Sequence, residues 1–101
     1  MEKIIMNKHT FIIAKITPKP KYFEASKEAI KEIISQTRNE PGCLAFTLHE
    51  DGMGNLYLYE EWIDENALKL HHEMDYTKAV FEAYTQWLAV PPEISKLIKV
   101  A

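Results

Sequence analysis

The chain has 101 residues, of which 47% are hydrophobic and 11% aromatic, so it has room for one small domain over residues 1–101. Its formal net charge is −3, from 12 basic and 15 acidic residues, and Arg38 is the only arginine. Because nucleic-acid recognition depends on clustered basic side chains and on arginine in particular, the composition disfavours a nucleic-acid partner.

The cysteine count and the hydropathy argue against a disulfide-stabilised protein and against a membrane-spanning one. Cys43 is the only cysteine, so no intramolecular disulfide can form. No apolar run approaches the ~20 residues that a helix needs to cross a bilayer, so no membrane span is predicted. No basic-then-apolar leader precedes a small-residue cleavage site, which favours a cytoplasmic location.

The first part of the chain reads as a strand followed by a helix. Residues 9–17 alternate with period two, and Pro18 and Pro20 end that strand because proline cannot donate to a sheet. Over residues 21–39 the side chains at helical spacing are Phe23, Lys27, Ile30, Ile33, Ile34 and Thr37. Pro41-Gly42 ends this helix and turns the chain.

Two alternating segments then predict a hairpin. Residues 43–50 form its first strand, in which Leu44, Phe46 and Leu48 are expected on one face. Asp51-Gly52-Met53-Gly54 supplies the turn, and residues 56–62 form the aromatic-rich return strand.

The last third predicts two helices and a strand. Asp64 is a good N-cap for a short helix over residues 65–72, and a second helix covers residues 75–88. After Pro91-Pro92 the residues that alternate as a final strand are Ile94, Lys96, Ile98 and Val100.

The order of elements predicts an α+β, ferredoxin-like βαββαβ fold, in which a four-stranded antiparallel sheet carries helices on one face. The strands are apolar on both faces: Phe11 and Ile13 oppose Ile12, while Tyr57 opposes Leu58. A sheet with a solvated outer face would not need this pattern. We therefore expect a second copy to cover the outer face, which gives a homodimer in the form of a dimeric α+β barrel.

Two sequence blocks resemble the antibiotic biosynthesis monooxygenase family, which also includes quinol monooxygenases. Glu40-Pro41-Gly42-Cys43-Leu44 is similar to the segment that leads into strand two in that family. Tyr59-Glu60-Glu61-Trp62 followed by Ala67-Leu68-Lys69-Leu70-His71 is similar to its "YE.W…AL..H" block. The resemblance implies a homodimer with a pocket between the sheet and the helices of each subunit, and places Trp62, Glu60 and His71 near it.

The chain departs from several subgroups of this family. The polyketide-tailoring members carry an asparagine where this chain has Leu58. At the tryptophan and histidine positions of the haem-degrading members it has His71 and Phe81, which disfavours haem cleavage. Where several members have a second histidine, the nearest equivalent here is Tyr76.

His71 and Glu60 are the predicted catalytic residues. Neutral His71 could act as a general base on a phenolic hydroxyl, or it could close its helix by bonding a backbone carbonyl. Glu60 lies among Leu56, Leu58 and Trp62 on one strand face, where a carboxylate needs a partner or has a raised pKa. It is either a pocket acid or a base that orients His71, or it is a structural carboxylate paired with Lys15 or Lys96.

Trp62 and Tyr76 are the predicted substrate-binding residues. Trp62 could stack on a flat ring, or it could be core at the strand–helix corner. His72 follows His71 at about 100° around the helix, so it is expected to face solvent and not the same pocket.

The sequence favours a monooxygenase that oxidises a small phenolic or quinol-type molecule without a cofactor. No Gly-rich phosphate loop and no histidine spacing typical of a metal site occurs, so neither flavin, nucleotide nor metal has support. Two alternatives stay open: an isomerase of a small phosphorylated dicarbonyl, and a non-catalytic dimeric barrel that holds a hydrophobic ligand.

Overall fold

The computed structural model describes residues 8–101 and shows one antiparallel sheet with three helices. The strands are β1 (Thr10–Ile16), β2 (Cys43–Glu50), β3 (Leu56–Trp62) and β4 (Glu93–Leu97), in the sheet order β2-β3-β1-β4. The helices are α1 (Phe23–Arg38), preceded by a 3-10 turn at Pro20–Tyr22, then α2 (Glu65–His72) and α3 (Asp75–Trp87). The predicted ferredoxin-like α+β fold is therefore confirmed.

The core lies between the sheet and the helices. Period-two alternation sends Ile12, Ala14 and Ile16 of β1 inward, where each is at most 4% exposed. From the helices, Ile30 of α1 and Val80 of α3 join the same hydrophobic cluster.

The opposite face of the sheet, which we call the outer face, carries no helix within residues 8–101. The register places Ile13 directly between Ser95 of β4 and Tyr59 of β3 on this face. Ile13 is 38% exposed there although it lies on a central strand. The subunit alone therefore leaves the outer face partly apolar and open to solvent.

One strand face differs from the prediction at Leu44. Cys43 is paired with Trp62 and Ala45 with Glu61, so Leu44 is an extra residue in a β-bulge. The bulge turns Leu44 outward, where it is 50% exposed, while Cys43 packs against the core with Phe46. The expectation that Leu44 shares the inner face with Phe46 and Leu48 is wrong for this reason.

The final strand is also shorter than predicted. Leu97 pairs with Phe11, so continuation of the strand would place Val100 opposite Lys8, before β1 begins. Ile98 and Val100 are accordingly 89% and 94% exposed.

None of the helices in the part of the chain that the structure describes has the length and apolarity that crossing a bilayer requires.

Gly42 packs the turn after α1 against the start of α2. Its φ is +87°, and its carbonyl oxygen accepts a 2.8 Å hydrogen bond from the amide of Ile63. A Cβ built at Gly42 would lie 2.7 Å from the side chains of both Ala67 and Ile63. No other residue type fits this position without displacing α2.

We expect Gly42→Ala to be among the most destabilising single-methyl additions in the chain. Positive φ alone costs roughly 1–2 kcal/mol for a residue with a Cβ, and the overlap with α2 adds a further ~1–3 kcal/mol. Gly52→Ala is the matched control, because Gly52 has φ +77° but no atom within 4 Å of its built Cβ. Urea unfolding of both variants measures the difference, and equal losses would contradict the close packing at Gly42.

Candidate active site

A cavity of about 360 Å³ lies between the inner face of the sheet and the helices. Its walls are mainly aliphatic and aromatic, and include Ile12, Leu58, Val80 and Phe81. The buried side chains with polar groups among its lining residues are Glu60, His71, Thr77 and Tyr84. An apolar chamber with a few convergent polar groups is the usual form of a small-molecule site.

His71 lies in the last turn of α2 and lines the cavity while being only 4% exposed. Its imidazole packs at 4.7 Å from the ring of Trp62 and at 5.5 Å from that of Phe46. Its Nδ1 lies 2.9 and 3.2 Å from the two carboxylate oxygens of Glu40. Both ring packing and hydrogen bonding therefore hold the imidazole in one orientation.

Glu40 reaches His71 because the chain turns sharply after α1. The amide of Glu40 donates to the carbonyl of Thr37, and Gly42 then brings the turn against α2. The carboxylate also accepts a short hydrogen bond from the hydroxyl of Tyr76. Burial, together with this bond to Glu40 and its charge, raises the pKa of Tyr76 well above its usual value, so Tyr76 stays a donor.

The Glu40 contact decides which nitrogen of His71 is available to a ligand. A carboxylate accepts hydrogen bonds, so Nδ1 carries the hydrogen and the lone pair of the neutral ring is on Nε2. Nε2 has no hydrogen-bond partner among residues 8–101, and the ring lines the cavity. The arrangement presents a basic nitrogen to whatever occupies the chamber.

Glu60 is buried and lines the same cavity, but it does not bond His71. Its Oε1 accepts a 2.9 Å hydrogen bond from Nε1 of Trp62. Burial raises the pKa of Glu60, against smaller opposing effects of the Trp62 hydrogen bond and of His71. The expectation that Glu60 orients His71 is wrong, because that contact belongs to Glu40.

Neither lysine considered as a partner for Glu60 bonds it. Lys15 is paired in register with Tyr57, which places it on the outer face of the sheet. Lys96 lies at the edge of the cavity on β4, and its Nζ is 2.9 Å from Oε1 of Glu65. The partner of Glu60 within the described part of the chain is the indole of Trp62.

The two predicted substrate-binding residues lie next to the cavity wall. Trp62 has 0% exposure, and its indole touches the ring of His71 on one side and bonds Glu60 on the other. Tyr76 is linked to His71 by Glu40, whose Oε2 accepts hydrogen bonds from the Tyr76 hydroxyl and from Nδ1 of His71. Neither side chain lines the chamber itself. Trp62 contacts the lining residues Glu60 and His71 directly, whereas Tyr76 is connected to His71 by Glu40.

The prediction that His72 is exposed agrees with the structure, but the prediction that it does not share the cavity of His71 is wrong. The side chain is exposed, but its ring also lines the cavity beside Phe81, at 5.7 Å between ring centroids. Two adjacent histidines share one chamber because α2 ends against its edge, where a side chain 100° around the helix still reaches the opening. Burial and the charge of His71 lower the pKa of His72. Within residues 8–101 no three histidine, cysteine or acidic side chains converge as metal ligands.

Sequence reasoning missed three polar residues of this region. In the sequence, Glu40 appears only as the first residue of the block that resembles the family segment after the first helix. No local pattern there indicates a contact with His71. Tyr84 lies within the second predicted helix without a predicted site role, yet it lines the cavity and burial raises its pKa. Thr77, one helical turn before Val80, lies with its Oγ1 at 3.5 Å from Nδ1 of His71.

With this geometry established, comparison with known proteins identifies the family. The sequence profile of the family described as "antibiotic biosynthesis monooxygenase" matches residues 10–83. The chain belongs to this family. The match covers both Glu40 and His71, so the buried pair lies inside the family domain.

Individual relatives agree with that assignment. "Putative monooxygenase Rv0793" of Mycobacterium tuberculosis is 34% identical over 85 residues, which cover 78% of this chain and 83% of that protein. The protein sll1783 of Synechocystis is 29% identical over 92 residues, and the match spans 62% of its length. These likenesses support a monooxygenase-like role.

Solved structures confirm the fold. PA3566 from Pseudomonas aeruginosa superposes with a TM-score of 0.88 at 27% identity, covering 96% of this chain and 99% of that one. A conserved protein from Methanosarcina mazei gives a TM-score of 0.85 at 26% identity, covering 93% and 95% of the two chains.

The buried Glu60 predicts an unusual pH dependence of stability. Because its pKa is raised in the folded protein, its contribution to stability is present at low pH and is lost as pH rises through that raised value. Glu60→Gln keeps an oxygen for Trp62 but cannot ionise. We expect the variant to match the native chain near pH ~4, where ordinary carboxyls titrate, and to melt a few degrees higher near pH ~8.

Thermal unfolding across this pH range tests the expectation, with Glu65→Gln as the control. Glu65 is exposed and Lys96 lowers its pKa, so its replacement removes a small stabilisation above the usual carboxyl pKa. A Glu60→Gln variant that follows the native curve at every pH would show that Glu60 is not held in an unfavourable charged state.

Proposed function

We propose that the protein is an oxygenase that converts a small phenolic or quinol-type molecule without a metal or flavin. For a phenol with hydrogen on the para carbon, the overall reaction is phenol plus O₂ giving para-quinone plus water. The substrate supplies the four electrons that reduce O₂, so no external reductant is required. One oxygen atom enters the product and the other leaves as water.

The observation that carries this proposal is the buried Glu40–His71 pair at an apolar cavity. Nε2 of His71 would take the phenolic proton, and Glu40 would stabilise the imidazolium through Nδ1. The phenolate then passes an electron to O₂, and the two radicals combine at the para carbon as a peroxide anion. The proton held on Nε2 of His71 returns to that peroxide, which gives the hydroperoxide and restores the neutral imidazole. Loss of water from that hydroperoxide leaves the quinone.

The surroundings of His71 suit this chemistry. The apolar walls match a flat hydrophobic ring and exclude bulk water, which strengthens the interaction of charges inside the chamber. Phe46 and Trp62 fix the plane of the imidazole. The lone pair on Nε2 of His71 therefore has a fixed direction before a substrate hydroxyl binds. The protein contributes a base, an orientation and a dry site, while the substrate contributes the electrons.

Oxygen uptake with 1-naphthol tests the proposal. We expect one O₂ consumed per 1,4-naphthoquinone formed, with one oxygen atom from ¹⁸O₂ in the product. His71→Ala should lower kcat by ~10²–10⁴, the usual contribution of a general base. Glu40→Gln should lower it about tenfold, because a hydrogen bond to a charged acceptor is worth roughly 1.5 kcal/mol or more.

His49→Ala is the control, since His49 is an exposed histidine on β2 away from the cavity. An unchanged rate in His71→Ala would remove His71 as the base. Uptake at background level by a protein that still binds naphthol would instead favour the non-catalytic ligand-binding barrel. Competition by phosphate esters without oxygen uptake would favour the isomerase.

We further propose that the working form is a homodimer paired through the outer face of the sheet. The apolar Ile13 and Tyr59 lie at the middle of that face, while Lys15 and Glu93 lie opposite each other nearer its edge. A face with an apolar centre and charges of both signs can be complementary to its own copy across a two-fold axis. The cytoplasmic location expected from the sequence stays a prediction.

Ile13→Glu is expected to separate the dimer into subunits that keep their fold. Ile13 is 38% exposed in the single subunit, so a carboxylate there remains solvated in the monomer but is buried by a second sheet. Sedimentation velocity should show a species near twice 11.8 kDa for the native chain and near 11.8 kDa for the variant. Gln36→Glu, on the exposed side of α1, should stay dimeric; a native chain that sediments as a monomer would overturn this proposal.

A further inference from the structure

The carboxyl group of Glu60 has one oxygen engaged and one oxygen free. Oε1 receives the indole hydrogen of Trp62, and the side chain is only 6% exposed. Its second oxygen has no hydrogen-bond partner within residues 8–101, yet it is not fully enclosed by protein atoms. The side chain lines the cavity, so a ligand in the chamber is the available partner for that oxygen, and a buried polar atom without a partner is costly.

The groups around Glu60 favour its neutral form. From the neighbouring elements it faces His71 on α2, Tyr84 on α3 and Glu40 after α1, and the charge of Glu40 opposes its ionisation while His71 favours it. Burial outweighs the interaction with His71. The basic side chains at the cavity edge are Lys69, His72 and Lys96, and Lys96 is engaged with Glu65.

A neutral carboxyl in this position is a hydrogen-bond donor with a defined direction. Trp62 occupies Oε1 as an acceptor, so the proton belongs on the free oxygen. With Glu60 ionised, its free oxygen and Nε2 of His71 would both present lone pairs to the chamber. A protonated Glu60 instead presents a donor beside the acceptor nitrogen of His71.

We infer that Glu60 donates a hydrogen bond to an acceptor oxygen, such as a ketone or quinone oxygen, of the ligand that occupies the cavity. The inference rests on the proposed function only in placing the ligand in the same cavity, and it requires no oxygenation. A ligand that satisfies both Glu60 and His71 has a carbonyl-type oxygen at one position and an acidic hydroxyl at another. Glu60 is thus a specificity-determining residue for the carbonyl oxygen.

A neutral ketone isolates the contribution of Glu60. 1-Tetralone carries one acceptor oxygen and no ionisable group, and tetralin is the same bicycle without that oxygen. Titration calorimetry between pH ~5 and ~9 compares the two ligands on the native chain, on Glu60→Gln and on Glu65→Gln. This range lies above the usual carboxyl pKa, and Tyr84 stays protonated throughout because its own pKa is raised.

We expect the affinity for 1-tetralone to depend on pH and this dependence to arise from Glu60 alone. The native chain should bind 1-tetralone roughly tenfold more tightly at the low-pH end than at the high-pH end, the worth of about one hydrogen bond. Glu60→Gln keeps a donor that does not titrate, so its affinity should be independent of pH. Glu65→Gln should follow the native curve, and tetralin should bind weakly at every pH.

Three results would overturn the inference. The first is equal binding of tetralone and tetralin at low pH. The second is a native affinity for tetralone that does not change with pH. The third is an unchanged pH dependence in Glu60→Gln, which would assign the donor to protonated His71. Absence of oxygen uptake with an intact tetralone profile would defeat the proposed oxygenation and leave the role of Glu60 standing.

Discussion

The contact between Glu40 and His71 is the constraint on which the rest of the site depends. It joins the turn after α1 to the last turn of α2, and both side chains are at most 5% exposed. Their approach requires a residue without a Cβ at Gly42, because Ala67 and Ile63 occupy the space that a Cβ would take. The backbone at one glycine thus positions a carboxylate, and the carboxylate determines which imidazole nitrogen a ligand meets.

Strand β3 of the sheet also holds His71 in place. Trp62 at the end of β3 touches the ring of His71 and bonds Glu60, so one indole connects the two buried ionisable groups of the cavity wall, the imidazole and the carboxyl. Its complete burial is compatible with such a supporting role. A side chain that holds two cavity residues in place has a stronger influence on their geometry when it does not itself move with the ligand.

The fold could be predicted from the sequence because period-two and helical alternation are local signals. The short helix over residues 65–72 and its N-cap at Asp64 follow from such signals, and Asp64 does accept from the amide of Ala67 at 2.8 Å. The bulge at Leu44 and the pairing of Glu40 with His71 are not local. The latter joins residues 31 apart in sequence, and it depends on how α2 packs against the turn. His71 and Glu60 were recognisable as candidates, but their partners were not.

The buried ionisable groups are concentrated in one region of the subunit. Among the described residues, Glu40, Glu60 and His71 are the only buried acidic, basic or histidine side chains, and all three lie together. Well-packed apolar side chains in place of a buried ion pair are often neutral or stabilising, so stability alone does not explain this cluster. A chain of 101 residues has few buried positions, and each one that holds an ionisable group is lost to the apolar core. Two of the three ionisable side chains, Glu60 and His71, line one apolar chamber, and the third, Glu40, bonds His71. The proposed chemistry requires such a grouping, because it needs a proton acceptor and a proton donor at one site.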